Sequence, residues 1–197
     1  MNKFHWIVRA VLRPVLHPFL PLDVRGVENL PREGVMICPN HSSNWDPVFV
    51  FIALPRDYDL RTMAKGSLFQ IPVLGWIIKK LGGFPVARGD SDIQAIKTAI
   101  QTIKSGGNLM LFPEGRRVKK EGEAVAKGGA AMIAIRTSAT LVPVYVEHEK
   151  RLFRRHRVIF GEPYKPAFTG RSGTSEEVPA IADDLLRRAY ALGREEA

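Results

Sequence analysis

The stretch Gly34-Val35-Met36-Ile37-Cys38-Pro39-Asn40-His41-Ser42-Ser43-Asn44-Trp45-Asp46-Pro47 is the place from which the chain is best read. Val35 to Cys38 is a compact apolar run between a glycine and a proline, and reads as a buried strand. The character then changes at once. Ser42, Ser43 and Asn44 form turns readily, and Asp46 before Pro47 suits a helix N-cap followed by proline at the first helical position. From Gly34 onward, short apolar runs keep alternating with helical periods, which is the pattern of an α/β domain.

Working outward, Asn108 to Phe112, Leu141 to Val146 and Val158 to Phe160 are further apolar or β-branched runs bounded by Gly or Pro, and read as buried strands. Ile93, Ile96, Ile100 and Ile103 mark a helix that starts at a Ser91/Gln94 capping box and stops at Gly106-Gly107. Gly128 to Thr137 is a second helix, and Glu176 to Leu192 a third, with Ser175 as N-cap and Gly193 beyond its end. Ala167 to Thr174 reads as a loose loop, and there is no internal repeat. The expected fold is α/β, a single domain over residues 23–197 with a mixed β-sheet flanked by helices.

Ahead of it, Phe4, Ile7, Val8, Val11, Leu12 and Val15 share one helical face while Arg9 and Arg13 fall on the other. Pro14 is expected to kink or end this helix, and Pro18 and Pro21 stiffen a second apolar stretch around Phe19, Leu20 and Leu22. These prolines and arginines interrupt every apolar run, so residues 1–22 read as part of the mature protein rather than a signal peptide. They are expected to form an amphipathic segment in a membrane interface, with Trp6 near the headgroups and the arginines toward anionic lipid. A terminal helix docked on the domain would show the same pattern.

Composition sets the outer limits. The chain has 197 residues, enough for one core but not for a second full domain. Its longest stretch without a charge, Gly66 to Ile78, is 13 residues, short of the ~20 that cross a bilayer. A single cysteine, Cys38, excludes an intrachain disulfide, and no Cys/His cluster has zinc-site spacing. With 29 Lys and Arg against 20 Asp and Glu, the net charge of +9 favours an anionic partner: nucleic acid, an anionic lipid surface or a phosphorylated substrate. Lys150, Arg151, Arg154, Arg155 and Arg157 cluster around Phe153, yet no nucleic-acid-binding motif accompanies them. Solvated surface, or contact with anionic lipid or an acidic carrier protein, is the expectation there, with no nucleic acid.

His41 and Asp46 are five residues apart, about 140° from each other on a straight helix, so only a loop brings them together. An aspartate accepting from one imidazole nitrogen fixes the tautomer and leaves the other nitrogen as a base. The pair alone equally allows Asp46 as a simple cap and His41 as a satisfied polar residue at a strand end. Other schemes fit less well. Gly170-Arg171-Ser172-Gly173-Thr174 misses a nucleophile elbow at its last position, Cys38 lies inside an apolar run, and His148-Glu149 is followed by Leu152 where a zinc-protease helix needs histidine.

Further along the chain, a family pattern emerges. Asn40-His41 with Asp46 resembles the H-x4-D motif of the glycerolipid acyltransferases, the family of bacterial 1-acylglycerol-3-phosphate acyltransferases. Gly82-Gly83-Phe84-Pro85-Val86-Ala87-Arg88 resembles its second block, Phe112-Pro113-Glu114-Gly115-Arg116-Arg117 its third and Val142-Pro143-Val144 its fourth, all in the family's order. Met63-Ala64-Lys65 and Lys127-Gly128 also sit where the family has similar residues, so the resemblance spans roughly residues 23 to 165.

The resemblance implies a glycerol-3-phosphate acyltransferase-like fold and transfer of a fatty acyl group from a thioester, on acyl carrier protein or coenzyme A, to the sn-2 hydroxyl of lysophosphatidic acid. It makes His41 the general base and Asp46 its orienter, with no acyl-enzyme, no metal and no cofactor. It places Arg88 and Arg117, with Lys65 and Lys127 beside them, near the acceptor's phosphate. Glu114 would order the acceptor's glycerol or the arginines, Gly115 and Asn40 would line the substrate site, and backbone N–H groups near the fourth block would receive the oxyanion. A peripheral position on the cytoplasmic face of the cell membrane goes with such a substrate. The third block departs from the family, which usually has Thr where this chain has Arg116 and often Ser where it has Val118. Other acceptors, such as glycerol-3-phosphate, a lyso-ornithine lipid or another lysophospholipid, therefore stay open, as does a non-catalytic lipid-binding role.

Overall fold

Val35 to Pro39 forms a central strand, and the rest of the architecture is arranged on either side of it. The computed structural model describes residues 3–86, 92–121, 123, 125–170 and 172–194. In chain order it contains α1 (Lys3–Leu16), β1 (Leu22–Arg25), β2 (Val35–Pro39), α2 (Asp46–Ala53), β3 (Arg61–Lys65), α3 (Pro72–Lys80), β4 (Gly83–Val86), α4 (Ile93–Lys104), β5 (Leu109–Met110), α5 (Gly129–Thr137), β6 (Thr140–Val146), β7 (His156–Phe160) and α6 (Glu177–Arg194). The seven strands form one sheet in the order β1-β7-β6-β2-β5-β3-β4. All neighbours are parallel except the antiparallel pair β6 and β7, so the expected mixed sheet is what the chain builds.

Alternation along the central strands makes the core two-sided. Met36, Cys38, Leu109 and Leu141 point to one face and are covered by Ala95, Ala99 and Ile103 of α4, the alanine-rich α5, and Ile181 and Leu185 of α6. Val35, Ile37, Met110, Val142 and Val144 point to the other face, against Phe49, Val50 and Ala53 of α2. Small alanines on α4 and α5 let those helices approach the sheet closely. The large Phe49 fills the opposite layer, where α2 lies over the strands.

Some boundaries differ from the sequence expectation. The α6 cap is Thr174, not Ser175: the Glu177 N–H donates to Thr174 Oγ1 at 3.2 Å and the Thr174 N–H donates to Glu177 Oε2 at 2.7 Å, a reciprocal capping box. Gly193 is inside that helix rather than past it, and the absence of a side chain there makes room for Tyr145, whose ring a Cβ would approach to 2.5 Å. At α4, Asp92 caps the helix by accepting from the Ala95 N–H at 3.0 Å, and Ser91 lies outside the described residues. Asp46 is the first residue of α2, with Trp45 as N-cap, so its carboxylate is free for another use.

The N-terminal helix corrects a larger expectation. Its apolar stripe is split: Ile7, Val11 and Val15 face out at 50–56% exposure, while Phe4, Val8 and Leu12 are half-buried. Arg9, expected to face lipid, is 2% exposed. Its guanidinium donates to the carbonyls of Phe51 (2.8 Å), Pro55 (2.8 Å) and Tyr58 (2.7 Å), with Cζ 4.2 Å above the Phe51 ring. The reason is that the Phe51 carbonyl, in the last turn of α2, faces Pro55 four residues on, which has no N–H, while the Pro55 and Tyr58 carbonyls lie in the non-helical segment that follows. A guanidinium fork can serve several at once. Helix α1 is therefore seated on α2, and Leu20 after it is part of the core.

Candidate active site

The C-terminal ends of β2, β5, β3 and β4 lie along one edge of the sheet, because these four are parallel neighbours. Loops leaving that edge are where α/β folds assemble sites. Asn40 follows β2 directly and is fully buried: its side chain accepts from the Val146 N–H at 2.7 Å and donates to the Val146 carbonyl at 3.1 Å. It is a clamp between the exit of β2 and the end of β6, not a residue that can touch substrate. The chain beyond it is thereby launched from a fixed point.

From that point the backbone curls so that Asp46 Oδ2 receives the Ser42 N–H at 2.6 Å, the Ser43 N–H at 2.7 Å and His41 Nδ1 at 3.0 Å. The loop brings the pair together as its spacing required. Phe112 stacks on the imidazole with ring centroids 4.0 Å apart, fixing the ring plane. Among the described residues no side chain or backbone group hydrogen-bonds His41 Nε2, and the side chain keeps 18% exposure. With Nδ1–H donating to a carboxylate, Nε2 is the nitrogen left to accept a proton. Burial acts to raise the Asp46 carboxyl, but the His41 bond and the charge of Lys150 outweigh it, so the group sits below the usual aspartate range.

Glu114, on the loop after β5, supports the same histidine from the backbone side. It is 1% exposed; Oε2 accepts from the His41 N–H at 3.2 Å and Oε1 from the Tyr190 hydroxyl at 2.8 Å. Its carboxylate is turned onto protein donors, which differs from the expected contact with an acceptor. Burial pushes its pKa above the usual glutamate range, the two hydrogen bonds offsetting only part of that. The loop is tied down twice more, by the Val118 N–H to the His41 carbonyl at 2.8 Å and the Lys127 N–H to the Pro113 carbonyl at 2.8 Å. Gly115 has φ +63°, and a Cβ on it would come within 2.7 Å of the Lys127 side chain that crosses it.

The cations expected near phosphate are outward-facing where they are described. Arg117 and Lys127 are exposed on the third-block loop, and Lys65 is exposed at the end of β3. Arg88 lies outside the described residues, although Val86 two positions earlier pairs with Lys65. The departures in the third block have separate fates: Arg116 is exposed, while Val118 is 2% exposed and joins the packing. The fourth block is not available for an oxyanion. Pro143 has no N–H, and Val142 and Val144 are fully buried in a strand paired on both sides.

The Acyltransferase family model matches residues 21–147, from β1 to the residue after β6. The chain belongs to the acyltransferase family. A 1-acyl-sn-glycerol-3-phosphate acyltransferase of Bacillus subtilis is 32% identical over 177 residues, covering 87% of each chain. A chloroplastic 1-acyl-sn-glycerol-3-phosphate acyltransferase of Brassica napus is 31% identical over 148 residues, and the match spans 73% of this chain but 42% of that protein's length. The crystal structure of the 1-acyl-sn-glycerophosphate acyltransferase PlsC from Thermotoga maritima shares the fold, with a TM-score of 0.68 at 24% identity over 98% of this chain and 78% of that one.

One residue of this candidate site has no counterpart in the sequence expectation. Lys150 was grouped with a surface basic cluster, yet its side chain is 7% exposed and its ammonium lies 2.5 Å from Asp46 Oδ1. Arg157 of the same cluster is also turned in, paired with Glu147 at 2.7 Å, so the exposed charges there are Arg151, Arg154 and Arg155. No local signal in residues 147–157 marks which of these cations fold back, because the groups that draw Lys150 in, Asp46 and Ser42, are over a hundred residues away.

Proposed function

We propose that this chain transfers a fatty acyl group from an acyl thioester, on acyl carrier protein or coenzyme A, to the sn-2 hydroxyl of 1-acyl-glycerol-3-phosphate, giving phosphatidic acid. The observation that carries the reading is the 3.0 Å contact between His41 Nδ1 and Asp46 Oδ2, preset by the loop after β2. Nε2 of His41 takes the hydroxyl proton as the oxygen attacks the thioester carbonyl. The tetrahedral intermediate then expels the thiolate, which takes the proton back from the imidazolium and leaves as free thiol. Such general-base assistance contributes roughly 10² to 10⁴ in rate.

No acyl-enzyme is required. Cys38 is fully buried and burial raises its thiol pKa, so it is a poor nucleophile. The exposed Arg117, Lys65 and Lys127, together with Arg88, are the groups we assign to the acceptor's phosphate, since charged forks match phosphate oxygens. The outward stripe Ile7, Val11 and Val15, near Trp76 of α3 through the Phe4–Trp76 ring contact at 5.6 Å, supports docking at an anionic membrane surface on the cytoplasmic side. No helix among the described residues is long and apolar enough to cross a membrane.

The test is acyl transfer from a long-chain thioester to lysophosphatidic acid in detergent or liposomes, wild type beside His41→Ala. Phosphatidic acid from the wild type and at least ~10²-fold less from the variant is the expected result. Equal product from both proteins, or none from the wild type with either thioester carrier, overturns the reading. Product formed only from another acceptor, such as glycerol-3-phosphate, would keep the base and move the substrate; the exposed Arg116 in the third block is the feature that favours that outcome.

A further inference from the structure

Asp46 has two oxygens with different surroundings. Oδ2 is saturated by three N–H donors from the loop that carries His41, and Oδ1 faces Lys150 across 2.5 Å. Lys150 comes from the turn between β6 and β7, over a hundred residues away in sequence, and is itself held. Its ammonium donates to Ser42 Oγ at 2.9 Å and to the carbonyl of Glu147, and Ser42 Oγ donates to the His148 carbonyl at 3.1 Å. A lysine buried to 7% exposure is costly to place unless its charge is matched, and here the match is the carboxylate that orients the base.

We infer that Lys150 is a positioning residue of the site: its ammonium locks the Asp46 carboxylate with Oδ2 toward His41 and sets the charge that the imidazole faces. Among the described residues, the charged and titratable groups bonded or paired at this centre are Asp46 on α2, Lys150 on the β6–β7 turn and Glu114 on the β5 loop, the last bonded to Tyr190 of α6. Lys150 is the cation among them. Its charge opposes that of the Asp46 carboxylate, so without it the imidazole faces an unmatched buried anion. The lock and the field act on the same step, proton removal from the attacking hydroxyl.

This inference rests on the reading of His41 as the base, so the experiment needs a readout that does not depend on turnover. Imidazole ¹⁵N NMR of the whole protein, free of substrate, follows the titration of His41 in wild type, Lys150→Met and Lys150→Arg, with unfolding curves to confirm that both variants fold. Lys150→Met is expected to move the midpoint of the His41 signal upward, and Lys150→Arg to leave it in place. In the acyl-transfer assay the Met variant loses about tenfold in kcat at pH 7, with KM for donor and acceptor unchanged and the deficit narrowing toward pH 9, while the Arg variant stays within about twofold.

A Met variant that titrates and turns over like the wild type overturns the inference, and so does an Arg variant as impaired as the Met one. If His41→Ala instead keeps full activity, the base assignment is what fails. The NMR midpoints still decide whether Lys150 acts on His41.

Discussion

The loop after β2 and the loop after β5 each bring a buried carboxylate to His41, and they hold it in opposite ways. Asp46 meets a ring nitrogen, two backbone N–H groups and an ammonium, and is kept ionised. Glu114 meets one backbone N–H and one phenol, and burial draws it toward the neutral form. The first arrangement polarises an imidazole and the second fixes a backbone. Proximity to the histidine therefore does not make the two acids equivalent: the atom each one touches, and whether a cation backs it, sets its work.

The largest expected effect separates them. Asp46→Asn keeps the size of the side chain but presents a neutral amide to His41 and to Lys150; its one oxygen cannot replace both carboxylate oxygens, so the imidazole loses the anionic acceptor that fixes its tautomer. A fall of about 10² to 10⁴ in kcat is expected in the acyl-transfer assay, with KM little changed. Glu114→Gln still offers an oxygen to the His41 N–H, and its cost is expected to stay within about threefold. Similar losses in the two variants would break the contrast.

Much of this arrangement was legible in advance, for local reasons. Val35 to Cys38 reads as a strand because it is a short apolar run bounded by Gly34 and Pro39, too short for a buried helix, and the spacing of His41 and Asp46 forced a loop. What stayed hidden depends on distant partners. Arg9 lies on the polar side of its helix by periodicity, but it turns inward to carbonyls 42 to 49 residues away, and nothing local announces that need. Lys150 finds Ser42 across 108 residues in the same way. The strands Leu22–Arg25 and Arg61–Lys65 carry charges at alternate or terminal positions, so they lack the apolar run that marks the central strands.

The outer part of the β5 loop offers the next contrast. Arg117 is exposed where Glu114 three residues earlier is sealed, so its substitution is expected to affect binding rather than the preset pair. Arg117→Ala should raise KM for lysophosphatidic acid about tenfold or more and leave KM for the acyl donor unchanged, as loss of a charged hydrogen bond worth ~1.5 to 3 kcal/mol implies. Equal effects on both substrates would remove Arg117 from the phosphate. On α1 the same inside-against-outside logic predicts that Ile7, Val11 and Val15 changed together to Ser weaken binding to anionic liposomes by about tenfold without lowering stability. Arg9→Met does the reverse, destabilising by about 2 to 4 kcal/mol because the Phe51 carbonyl of α2 and the Pro55 and Tyr58 carbonyls after it lose their donor. Deleting the whole segment would mix the two effects, since Leu20 belongs to the core.

The smallest effect is the response of stability to pH, and it carries the comparison of the two carboxylates to its end. The folded pKa of Asp46 is depressed, so its contribution is fully present above the unfolded aspartate value of about 3.9 and is lost as pH falls through the folded value. The folded pKa of Glu114 is raised, so its contribution is present below the unfolded glutamate value of about 4.3 and is lost as pH rises through the folded one. Urea unfolding between pH 3 and 7 should therefore show Asp46→Asn losing less stability than wild type on acidification below about pH 4. Glu114→Gln should show the opposite change, a steeper gain with rising pH above about pH 4.5, since the group that works against that gain is gone. If both variants altered the slope in the same direction, the two acids would not be held in opposite states. The division of labour around His41 would then rest on distance alone.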